Sequence, residues 1–446
     1  MYFNYFCTMK KLFFALAAMA IVAVSCQKEF TESASDVTPQ TEVESAYAIS
    51  EEKAIERLNE FMQSFDGCET RTVQRVVKSI DAVEYSDIVK TTRGSEDIDI
   101  DNLLYIVEFE DGMGSAIIGA DRRVEPVYAI LDESVLTTED FENAANGVEL
   151  DEISTYTAGL IAHNAINRAS TYNLLPNVDL TYDEYYYVPS TSIVTYIQPL
   201  LNTKWHQGSP YNDNYPTFTR PSGGQVNAPA GCGTIAVGQL LTYLKPTTTV
   251  TLNGHTHSYA NMAQFTFDRV ITDPILKQKM AQFMYDLAEE MNSEYAYNET
   301  GSSLSDNADL IDRKGLSNVR CVDVDRDIIR TMLSDAKPII IRGSAYNVEG
   351  EIGHHAWIID GRKHTQTSVA KVTIRDGVVI SREYQYSYTT DYIHCNFGWD
   401  GECDGYYDYS IFDTTTPHPN EPDFGDVIDP YIYIYDTYLK MIKYNL

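Results

Sequence analysis

The chain has 446 residues, long for one domain and suited to two. It carries 65 acidic against 33 basic residues, a formal net charge of -32, which argues strongly against nucleic acid as a partner because the surface would repel a polyanion. Seven scattered cysteines without a C-x-x-C pair argue against a dense disulfide framework and a structural zinc site, so no metal or other cofactor is expected.

In chain order, Met9-Lys10-Lys11 precedes an apolar run over 12–24 that ends at Ser25-Cys26. The run is too short to span a bilayer and reads as an export signal over 1–26, with Met9 the better start. A cysteine at that point makes the segment resemble a bacterial lipoprotein signal, with Cys26 as the site of lipid attachment. Residues 27–50 are polar and acidic and read as a flexible tether. Residues 51–170 read as a small α+β domain. A helix begins after Ser50 and buries Ala54, Leu58, Phe61 and Met62. Strands over 103–109 and 114–120 flank an Asp111-Gly112 turn, a further strand covers 127–131, and helical segments fill 141–168. Residues 171–196 carry few helix signals and read as a linker between domains. The second domain, 197–446, has helices first and strands last, again α+β. Its helices start at Asp273-Pro274 and Asp325, and its strands cover 339–341, 355–360 and 392–397. A hairpin is expected around Arg375-Asp376-Gly377, and the Tyr431–Tyr435 alternation also favours sheet.

The chemistry gathers around N-A-P-A-G-C-G-T-I-A-V-G-Q-L-L-T-Y-L-K-P, residues 227–246. Apolar residues at Ile235, Ala236, Leu240, Leu241 and Leu244 predict a helix that starts at Cys232 and stops before Pro246. Unpaired backbone N–H groups and the helix dipole at that end favour a thiolate and predict a lowered thiol pKa. Gly231 and Gly233 leave room for a substrate. A thiolate nucleophile needs a proton carrier. His355 opens a strongly apolar strand, and Asn396 lies further on, able to accept a ring N–H. Cysteine, then histidine more than a hundred residues on, then asparagine is the chain order of papain-like peptidases. The sequence alone leaves His354 open as the alternative to His355.

Four segments resemble the streptopain-like cysteine peptidases, the family of streptopain and the interpains within the papain-like clan. They are W-H-Q-G-S-P-Y-N (205–212), A-G-C-G-T-I-A-V-G-Q (230–239), H-A-W-I-I-D-G (355–361) and H-C-N-F-G-W-D-G (394–401). The resemblance implies a papain-like domain over 197–446, with a helical part and an antiparallel sheet part. It implies Cys232 as nucleophile, His355 as general base and acid, Gln207 as oxyanion donor and Asn396 as the group that orients His355. Gly231, Gly301, Ser302 and Trp399 become substrate-binding residues. The domain over 51–170 resembles the inhibitory propeptide of these zymogens, with a maturation site in 171–196. Phe397 stands where the family has tryptophan, which predicts reduced activity.

The resulting expectation is a cysteine endopeptidase made as a zymogen, acting on proteins or peptides through a resting Cys232 thiolate–His355 imidazolium pair and a thioester acyl-enzyme, and held latent by its own propeptide. It is exported to the outer membrane or cell surface, touching the membrane only through the lipid on Cys26. Two other readings compete. One is a weakened or inactive peptidase-fold lipoprotein that binds proteins. The other is a different thiol acyl-transfer enzyme, such as a transglutaminase-like or cell-wall endopeptidase. His255 and His257 read as a loop pair rather than metal ligands, and a Cys321–Cys403 disulfide stays open.

Overall fold

The computed structural model of the chain describes residues 47–67, 75–89, 100–149, 152–171, 185–347, 350–375, 378–412 and 439–446. The export signal, Cys26, most of the tether, the Asp376-Gly377 turn and the Tyr431–Tyr435 run lie outside them. The last tether residues are already pinned: Ile49 N–H donates to Ala120 O at 2.8 Å, and the Tyr105 hydroxyl donates to Ile49 O at 2.8 Å.

Helix α1 (Glu51–Gly67) starts as the sequence predicts and runs on past Phe61 to Gly67. Ala54, Leu58, Met62 and Phe65, spaced by three and four, form its buried face. This face packs on strands β1 (Val77–Glu84), β2 (Asn102–Phe109), β3 (Ser115–Gly119) and β4 (Val127–Leu131), an antiparallel meander. Every residue of β3 and β4 is buried, because α2 (Thr138–Asn146) and α3 (Ile153–Thr171) cover the opposite face. Burying Phe65 alone contributes about 1.5–3 kcal/mol.

The expected linker departs from its reading. Residues 172–184 lie outside the described residues, but Tyr185–Ile197 forms strand β5. Its pairing with residues 362–373, far on in the sequence, is what makes it a strand, and no local pattern signals that.

The remaining part supplies α4 (Cys232–Leu244), α5 (Pro274–Glu290), α6 (Leu304–Arg313), β6 (Ser317–Asp323), α7 (Arg326–Ser334), β7 (Ile339–Asn347), β8 (Gly350–Arg375), β9 (Val378–Asn396), β10 (Gly405–Asp408) and β11 (Lys440–Asn445). Asp273 and Asp325 cap α5 and α7 through their carboxylates, as their positions predict. β8 runs on through Gly361. It shifts register between Ile359 and Gly361 and continues, so the strand expected over 392–397 is the end of one long hairpin. Among the described residues the sheet has eleven strands, ordered β1-β2-β3-β4-β10-β9-β8-β7-β11-β6, with β5 paired to β8 beyond the end of β7. It is α+β, and one sheet joins the two parts where β4 pairs with β10.

Candidate active site

Helix α4 runs through the core, with Gly233 to Thr242 all buried. Gly238 lets Trp205 and Leu287 close on it; a Cβ there meets them at 3.1 and 3.3 Å. Gly231 caps the helix at φ 86°, and a Cβ would stand 2.6 Å from Thr300 O, so only glycine fits both the conformation and the space. Cys232 is the first helical residue and is half-buried.

Strand β8 crosses in front of that helix end. The Ala356 N–H donates to Cys232 Sγ at 3.4 Å, so the backbone beside His355 touches the thiol. Burial pushes the Cys232 thiol above its ordinary pKa, against the Ala356 and Gly233 N–H groups. This corrects the expectation of a lowered value. The helix end is covered by β8, and lost hydration outweighs the dipole.

His355 is buried and stands opposite Gly343 of β7. Its ring meets Tyr156 of α3 edge-on at 4.7 Å and Trp399 at 6.1 Å between centroids. Trp357, two residues along the same face, meets Tyr156 at 6.2 Å. Gly343 makes the notch for Tyr156, because a Cβ would lie 2.2 Å from its hydroxyl. His354 is paired to Ser344 and points to the other face of the strand.

Gln207 reaches the helix start. Its Oε1 accepts the Gly231 N–H at 3.0 Å and its main-chain oxygen accepts the Ala230 N–H at 2.8 Å, so the side chain is bonded to the residue before Cys232 through its oxygen. Asn396 is placed differently from its expected role. It pairs with Ile358 in the ladder, three residues along β8 from His355. Its Oδ1 accepts from Gln239 Nε2 at 3.0 Å and Gly398 N–H at 3.2 Å, and its Nδ2 donates to Thr203 O at 2.7 Å. The amide ties α4 to the sheet end and makes no bond to His355.

Gly301 and Ser302 follow Thr300, so they lie beside Gly231. The Ser302 hydroxyl donates to Asn307 Oδ1 at 2.7 Å, and Gly301 faces open space. Phe397 fills the core against Trp357 at 5.5 Å and Tyr407 at 5.8 Å, so the smaller ring leaves its surroundings packed.

Sequence reasoning missed Tyr156, Gly343 and Gln239, which become site residues only through contacts across 187 residues or more of chain for Tyr156 and across the helix–sheet interface for Gln239. His394 reads from sequence as a strand histidine with a satisfied ring, and so it stands: its Nδ1 lies 2.6 Å from Asp360 Oδ1 and its Nε2 3.2 Å from Asp132 Oδ2. His255 and His257 both bond Asp286, at 3.0 and 2.7 Å. Cys321 and Cys403 are both free thiols.

A cysteine at a helix start, a histidine-bearing strand whose backbone touches its thiol, and a glutamine bonded to the residue before the cysteine make up the candidate site. Residues 205–407 match the family model of the Peptidase C10 family, the streptopain family. The match spans Gln207, Cys232, His355 and Asn396. Two solved structures are similar. One is a Prevotella intermedia prointerpain A fragment bearing a cysteine-to-alanine substitution, 17% identical, covering 82% of this chain and 98% of that one, with a TM-score of 0.48. The other is active wild-type Prevotella intermedia interpain A cysteine protease, 20% identical, covering 56% and 95%, with a TM-score of 0.36. No curated protein matches the chain.

Proposed function

We propose that the chain is a cysteine endopeptidase made as a latent precursor, exported and anchored through lipid on Cys26. Residues 51–170 act as its intramolecular inhibitor, and a cut within 171–196 precedes activity. In the reaction, His355 takes the Cys232 proton and the thiolate attacks a peptide carbonyl. The Cys232 N–H and Gln207 Nε2 hold the oxyanion, each donor worth about a hundredfold in rate. His355 protonates the leaving amine, and water then hydrolyses the thioester. The peptide lies along Gly231, Gly301 and Ser302 on one side and Trp399 on the other.

The observation that carries this reading is the bond from Ala356 N–H to Cys232 Sγ, within the stretch that matches the family. Latency is supported by Tyr156 packed on the His355 ring. The competing reading, a protein-binding lipoprotein without catalysis, draws on Asn396 being bonded away from His355.

The test is to incubate the purified full chain and its Cys232→Ala variant, sequence the new N-termini and assay peptide hydrolysis. Wild type is expected to process and cleave, and the variant to stay full-length and inert. Equal processing together with no hydrolysis by either protein would favour the binding reading.

A further inference from the structure

A cavity of about 360 Å³ opens beside the candidate site. Trp205, Tyr211 and Phe265 give it an aromatic floor, and Lys204, Arg269 and Lys277 line it with positive charge. That concentration is unusual in a chain with 65 acidic and 33 basic residues. The peptidase part sets one carboxylate, Asp400, against these three cations.

The position of the cavity follows from its walls. His206, which precedes Gln207, forms one wall, and Asp400, which follows Trp399, forms another. Gln207 holds the Cys232 end of α4, and Trp399 faces His355. His355 is the group that delivers a proton to the leaving amine, so the Trp399 flank receives the part of the substrate after the scissile bond. Gly301 and Ser302 lie on the other flank, beyond Gly231.

Lys204 is held in place. Its stem lies over Gly401, where a Cβ would come within 2.7 Å of its Cδ, and its side chain is only 19% exposed. Its ammonium pairs with Glu133 at 2.8 Å. Glu133 follows β4 and belongs to the part that processing removes, and it also lines the cavity. When that part leaves, a half-buried ammonium loses its carboxylate, and a substrate carboxylate restores it.

We propose that this cavity is a subsite for the leaving-group side of the substrate that selects glutamate or aspartate, and that Glu133 holds the place of that side chain in the precursor. The proposal rests on the peptidase reading above.

The experiment uses enzyme expressed as the full chain and allowed to process. Peptides identical before the scissile bond carry Glu, Ala or Lys in turn at each of the first three positions after it, and kcat/KM is measured for each. At one position Glu is expected to exceed Ala by about three- to tenfold, the size of one half-buried ion pair among several cations, and the ratio should shrink at high salt. Lys204→Glu should reverse the order of Glu and Lys. Arg269→Gln and Lys277→Gln, at exposed positions that leave the fold intact, should each lower the Glu-to-Ala ratio. A wild-type ratio of one at all three positions, or a ratio unmoved by all three variants, overturns the subsite and leaves the peptidase standing. A folded, processed enzyme that cleaves none of the peptides overturns both.

Discussion

At the scale of single residues, Cys232 sits between two opposed influences. The helix end favours its thiolate, and burial under β8 disfavours it more. In the full-length precursor the thiol should therefore ionise above the ordinary value of about 8.5. After processing exposes the site, its ionisation should move down. Alkylation rate against pH, read by mass spectrometry at Cys232 because Cys321 is also exposed, checks this before and after processing. An unchanged profile would mean that the N-terminal part does not set the state of the thiol. Gln207 acts through one atom, Nε2, since its Oε1 is fixed by Gly231. Gln207→Ala should lower kcat by about a hundredfold with little change in KM, because the lost bond forms with the oxyanion and not with the ground-state carbonyl.

At the scale of elements, α3 reaches the site through one side chain. Tyr156 fills the notch at Gly343 and lies against His355. Tyr156→Ala removes that contact and a large buried ring, a loss of about 3–5 kcal/mol. The full-length variant should process several-fold faster, whereas Tyr156→Phe, which keeps the ring, should process like wild type. Densitometry of the precursor over time distinguishes them, and equal rates for all three would remove Tyr156 from the latency contact. Strand β5 sets the other limit. Its backbone is paired to β8 from Tyr185 onward, and a protease needs an extended, unpaired segment. The new N-terminus should fall between residues 172 and 185. A terminus beyond Ile197 would mean that β5 is released with the N-terminal part.

At the scale of the molecule, the two parts meet along the β4–β10 seam, and titrating groups gather there. Burial pushes Asp404 and Asp408 up to about 7, against the Phe397 N–H for Asp404 and with Glu125 adding for Asp408. Burial works against charge on His394, but Asp360 and Asp132 outweigh it and raise its pKa well above the ordinary value. The signs agree. A carboxyl raised from about 3.9 stabilises the fold at low pH and loses that stability as pH rises toward 7. A histidine raised from about 6.5 contributes fully below that value and is lost as pH rises through the raised one. The melting temperature of the Cys232→Ala precursor should therefore fall by several degrees between pH 5 and pH 8, at about 2 °C per kcal/mol. Asp408→Asn should flatten the fall. A melting temperature that rises over this range would contradict the seam as described. Lys363 adds a pairing from the peptidase part to α1, with Nζ donating to Phe65 O at 2.9 Å while the residue is fully buried.

The sequence by itself determined the elements whose signals are local. The α4 helix is legible from its apolar spacing and Pro246, with Cys232 at its first position. The caps at Asp273 and Asp325 are legible because a short carboxylate bonds the next turn. It also placed Cys232, His355 and Gln207 in one constellation, since their segments carry the family pattern. Tertiary structure decided the rest. β5 is a strand only because β8 pairs with it, and β8 passes Gly361 because a bulge absorbs the bend. The ladder sets Asn396 opposite Ile358, turning its amide to Gln239 and Thr203 instead of His355. The thiol of Cys232 goes up rather than down because hydration depends on what covers a helix end, and no local pattern in the chain encodes that cover.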